Sequence, residues 1–109
     1  MTEQEAQKAI DFIRDSAPEF AKAKAERTYI ENYLKVVKAK EMSNSDKKTL
    51  GDREIDAYMS MEYETQLQGM RAAVAVEEEL KWRMEAAKLR FEHYKIECFN
   101  NRVEARAMS

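Results

Sequence analysis

Proline occurs once in this sequence, at Pro18, and glycine twice, at Gly51 and Gly69. Sheets and tight turns draw on these residues, so their scarcity leaves few places where the chain can reverse. Long helices are the natural outcome. Charged residues make up 37% of the chain, and Ala, Glu, Lys, Arg and Met, all good helix formers, are abundant. A chain of 109 residues is one domain at most, and the expected fold is all-α: a long antiparallel helical hairpin with a short N-terminal helix, assembling as a bundle or coiled-coil oligomer.

Caps and breakers divide the chain. Thr2 and Glu5 have the spacing of a capping box, which opens a short helix over about 3–15. Ser16, Pro18 and Glu19 form a second start signal, a capping serine followed by a first-turn proline, which predicts a helix over about 17–42. Residues 43–49 lie in the one stretch of turn composition, SNSDKKTLG. Thr49 and Asp52 then restart the helix, expected to run over about 50–106 because Gly69 costs only about 1 kcal/mol in a helix interior. At 1.5 Å per residue the second helix would measure roughly 38 Å and the third roughly 84 Å, so the hairpin partner covers less than half of the third. Either Gly69 breaks that helix or its overhang finds a partner elsewhere.

The stretch EELKWRMEAAKLRFEHYKIECFNNRVEAR, residues 78–106, identifies the overhang's chemistry. Leu80, Met84, Ala87, Phe91, Tyr94 and Cys98 recur at alternating spacings of four and three, the signature of an apolar heptad seam. Trp82, Leu89, Ile96 and Val103, with Ala86, His93 and Asn100 between them, form a second series on the far side of the helix. We assign the first face to intramolecular packing and the second to self-association, because an exposed strip of that size is unusual on a soluble monomer.

Charged strips lie between the faces. Lys81, Lys88, Lys95 and Arg102 are candidates for nucleic-acid contact, but Glu78, Glu85 and Glu92 precede the three lysines by three residues each, the pattern of a solvated helix edge. Formal charge is +1 over residues 1–51, −6 over 52–79 and +3 over 80–109, a weaker basic surplus than dedicated nucleic-acid binders carry. The acidic run Glu77, Glu78 and Glu79, with Asp52, Glu54, Asp56, Glu62 and Glu64, could imitate phosphates on a partner's basic groove. A solvated helix face is the plainer reading.

Catalysis and metal binding find little support. His93 is the only histidine and reads as a partly buried helix residue; with Glu97 and Cys98 it makes a poor ligand set. Cys98 reads as a small seam residue with no base to activate it, and as a single cysteine it forms no internal disulfide. No catalytic residue, cofactor or metal is expected, and the chain is read as non-enzymatic. MTEQEAQKAIDF lacks the basic start and apolar stretch of a signal peptide, and no run approaches the ~18 apolar residues of a membrane span, which together suggest a cytoplasmic protein without a membrane partner.

AKAERTYIENYLKVVKAKEM and EYETQLQGMRAAVAVEEELKWRMEAAKLRFEHYKIECFNNR, with the order Tyr63, Leu67, Glu79, Leu80, Lys81, Trp82, Ala86, Ala87, Lys88, Leu89, Arg90, resemble a family of small helical proteins of tailed bacteriophages. The similarity covers roughly residues 22–102. It implies a phage-encoded protein in the bacterial host cytoplasm, associated with recombination or single-strand-binding functions. The resulting expectation is a helical homo-oligomer, a homodimer or higher, that binds a phage or host protein of DNA metabolism. Inhibition of a host defence or nuclease system, by occlusion or acidic mimicry, and direct single-stranded DNA binding are the alternatives.

Overall fold

The computed structural model describes residues 1–108, and these are all-α, without strands. Helix α1 spans Glu3–Asn44, α2 Leu50–Tyr58 and α3 Met61–Met108. The capping box forms as its spacing predicts: the Glu5 amide donates to the Thr2 hydroxyl at 3.2 Å, and the Thr2 amide donates back to the Glu5 carboxylate at 3.3 Å. Thr49 caps α2 by accepting from the Asp52 amide at 3.1 Å.

Two expected boundaries differ. The separate helices over 3–15 and 17–42 are one continuous helix, with Pro18 in its interior. Ser16 does not cap a second helix; it is buried on the inner face of α1, while Pro18 lies on the exposed face. Proline removes one backbone bond and crowds the preceding turn, at about 3 kcal/mol intrinsically. Ile13, Ser16 and Phe20 on the inner side keep the helix in place through that turn.

The helix expected over 50–106 is interrupted, at Met59 and Ser60 rather than at Gly69. Ser60 is responsible. Its hydroxyl donates to the Ala57 carbonyl at 2.7 Å, and the same oxygen accepts the Tyr63 amide at 3.2 Å, so it closes α2 and caps α3. Glu62 and Glu64 place negative charge in the first turn of α3, where the helix dipole favours it.

The chain divides into two compact units, residues 1–20 with 79–109 and residues 21–78. In the first unit Ala6, Ala9, Ile13, Ser16 and Phe20 of α1 are the inward positions, and Leu80, Met84, Ala87, Phe91, Tyr94 and Cys98 are those of α3. In the second unit the inward series is Ala23, Arg27, Ile30, Leu34 and Val37 on α1, Ala57 on α2, and Tyr63, Gln66, Met70, Ala73 and Glu77 on α3. Both helices thus follow alternating spacings of three and four, the geometry that keeps a seam on one side. The fully buried positions are small: Ala57 and Ala87 are 0% exposed, and the largest side chain at that level is Val37 at 1%. Small residues let helices approach closely but bury little apolar area.

The reversal between α1 and α2 is held by side chains rather than by glycine geometry. Ser45 donates to the Asp56 carboxylate at 2.7 Å and accepts the Lys47 amide at 3.2 Å. The Arg53 guanidinium donates to the Lys47 carbonyl at 2.8 Å and to the Met42 carbonyl at 3.4 Å, which satisfies a carbonyl in the last turn of α1.

Candidate interaction surface

The outer face of α3 in the first unit carries the most conspicuous surface. Trp82, Leu89 and Ile96 are 62%, 65% and 58% exposed, and Val103 is 48% exposed. Ala86, His93 and Asn100, which alternate with them, are exposed as well. On the opposite side of the same helix Ala87 is fully buried, while Leu80, Met84, Phe91, Tyr94 and Cys98 are half-buried. The two apolar series read from the sequence therefore lie in different environments, one packed and one open to solvent.

The basic series Lys81, Lys88, Lys95 and Arg102 is exposed. The Lys81 ammonium sits 5.4 Å from the Trp82 ring centre and that of Lys95 5.5 Å from Phe91. Arg102 donates to the Cys98 carbonyl at 3.5 Å, and Lys88 is exposed. Cation–π contacts of this kind cover aromatic surface and orient the charged stems along it.

A concave groove of about 530 Å³ lies beside this face, lined by Lys8, Ala9 and Phe12 of α1 and by Arg83, Ala86 and Arg90 of α3, among others. The Arg83 guanidinium stands 5.4 Å from the centre of the Phe12 ring. The groove escapes a reading of α3 alone because half of its wall comes from α1. Its trace in the sequence is the pair Arg83 and Arg90, one heptad apart on the edge of the exposed series.

Glu77 corrects the picture of a free acidic run. It is buried and accepts hydrogen bonds from the Arg27 guanidinium, which also pairs with Glu31 at 3.2 Å. Hydrogen bonding to Glu77 raises the Arg27 pKa, against the desolvation that lowers it. Glu54 accepts from Lys38 at 2.9 Å, and the Lys38 pKa is raised first by hydrogen bonding with Tyr58 and then with Glu54. Asp56 is engaged by Ser45. Glu54, Asp56 and Glu77, three of the eight acids named for mimicry, are thus tied into the second unit.

His93 is exposed rather than partly buried, with its Nε2 3.1 Å from Glu97 one turn on. The heptad position places it on the open face, where nothing in its own unit covers it. Cys98 is a free thiol in a half-buried position, and hydrogen bonding with it, together with burial, pushes the Tyr94 phenol upward. Among the described residues no group of three or more His, Cys, Asp and Glu could hold a metal, and no helix is long and apolar enough to cross a membrane. Comparison of the chain with protein-family models, curated proteins and solved structures finds no match.

Proposed function

We propose that this chain is a non-catalytic interaction protein that self-associates through the Trp82 face of α3 and presents the rest of its helical surface to a protein of DNA metabolism. The exposure of Trp82, Leu89, Ile96 and Val103 along one strip of a long helix carries the first half of this reading. Removing a large apolar side chain from water contributes about 1.5–3 kcal/mol, so a strip of four supplies enough to hold a dimer after the entropic cost of association. The similarity to small phage proteins supplies the setting in the second half: the cytoplasm of an infected bacterium and a recombination or replication partner.

Sedimentation of the wild type at micromolar concentration tests the first half, with a dimer or larger species expected. Trp82→Glu combined with Leu89→Glu should give a folded monomer, because the packed series from Leu80 to Cys98 is untouched. A wild type that sediments as a monomer rejects self-association. Affinity purification from infected cells, followed by mass spectrometry, tests the second half; recovery of a recombination or replication protein is the supporting result.

A further inference from the structure

We infer that the second copy docks on the Trp82 face in antiparallel orientation, in one register, with Ala86 opposite Val103 of the other copy. This inference rests on the self-association proposed above and adds the direction and alignment of the two helices. It follows from the charges that border the exposed strip. Arg83, Arg90, Glu97 and Glu104 lie one residue after Trp82, Leu89, Ile96 and Val103, and so line one edge. Glu85, Glu92, Phe99 and Arg106 lie one residue before Ala86, His93, Asn100 and Ala107, and line the other. Residues bordering a helical seam set the orientation and partner choice of the helices that share it.

In the antiparallel register Ala86 faces Val103, Leu89 faces Asn100 and His93 faces Ile96. Arg83 then meets Glu104 of the second copy, Arg90 meets Glu97, and Glu85 meets Arg106. Every charged pair at the edges is opposite in sign, and symmetry makes each one twice. A slip of one heptad in either direction sets Arg90 against itself or Glu97 against itself. The parallel alternative gains pairings of Glu78 with Arg83 and of Glu85 with Arg90 and an Asn100 pair in the seam, but it sets Glu92 against Glu97 twice, whereas the antiparallel register has no like-charge pair.

Volumes point the same way. A parallel pair would stack Trp82 on Trp82 and leave Ala86 facing Ala86, whereas the antiparallel pair matches Trp82 with Ala107 and Ala86 with Val103. The groove of about 530 Å³ flanks Ala86 between Arg83 and Arg90, so the segment carrying Glu97, Val103 and Glu104 meets a concavity whose walls carry two arginines and Lys8 against one carboxylate, Glu5. The Glu97 carboxylate stands 3.1 Å from His93 on its own helix and 3.6 Å from the Met1 ammonium, so Arg90 of the second copy would join two cationic neighbours already on it.

Disulfide trapping separates the outcomes. In a Cys98→Ala background, Ala86→Cys and Val103→Cys are made singly, checked for helicity, oxidised alone, then mixed, allowed to exchange and oxidised together. In the proposed register each cysteine lies roughly 25 Å from its own copy along the axis, at 1.5 Å per residue, far beyond disulfide reach. Neither variant alone should cross-link, and the mixture should give the Ala86→Cys to Val103→Cys disulfide. Cross-linking of Val103→Cys alone would overturn the antiparallel arrangement and leave self-association standing. A dimer by sedimentation with no disulfide in any sample would overturn the assignment of the face, and a monomer would reject the reading beneath it. A charge exchange gives a second measurement: Arg83→Glu and Glu104→Arg should each weaken the dimer by about tenfold, and the double variant should recover wild-type affinity.

Discussion

At the residue scale, Gly69 shows how little a helical glycine need mean. A Cβ built there would lie 4.0 Å from the Ile30 side chain, an ordinary contact, and no described residue has positive φ. Gly69→Ala should therefore stabilise the protein by up to about 1 kcal/mol, measured as an upward shift in the urea midpoint at unchanged slope. The seam from Leu80 to Cys98 was legible from residue spacing, because period alone separates one helix face from another. Arg27 and Glu77 were not, although both fall on inward positions, because a charged residue at seam spacing reads as an interruption until its partner is known. The two are fifty residues apart, and nothing local couples them.

At the scale of elements, start signals were legible and stop signals less so. Thr2 and Thr49 cap as their spacing implies, since an N-cap is a local bond between a hydroxyl and an amide three residues on. Ser16 carries the same signal and does not cap, because its position on the inner face of α1 is taken up by packing. Ser60 caps without having announced itself: no glycine or proline stands beside it, and the chain passes between helices with Met59 still in the right-handed helical region at φ −91° and ψ −1°. Ser60→Ala removes the acceptor for the Tyr63 amide and should destabilise the protein by about 1 kcal/mol in urea unfolding. If the uninterrupted helix over 50–106 were the preferred form, the same substitution would be neutral or stabilising, since alanine is the better helix former.

At the scale of the whole molecule, the all-α class followed from the scarcity of breakers, whereas the division into two compact units depends on contacts distant in sequence. The buried apolar residues among those described are Ala6, Ala9, Ala23, Val37, Ala57 and Ala87. Such a core gains little from burial per residue ordered, and large side chains such as Trp82 and Leu89 are exposed on the single chain; the proposed second copy would cover them. Folding and association should accordingly be linked, so the thermal midpoint should rise with protein concentration, read by circular dichroism over a hundredfold dilution series. A midpoint independent of concentration would mean that each copy is stable alone. The alanine core also bears on survival in a cell. If copies associate as proposed, one made when others are scarce would open more often and offer its helices to proteases, while one made among many would be shielded by its counterpart. Steady-state abundance would then respond to synthesis more steeply than in proportion, sparing the protein where it is made quickly and clearing it where expression is only a leak.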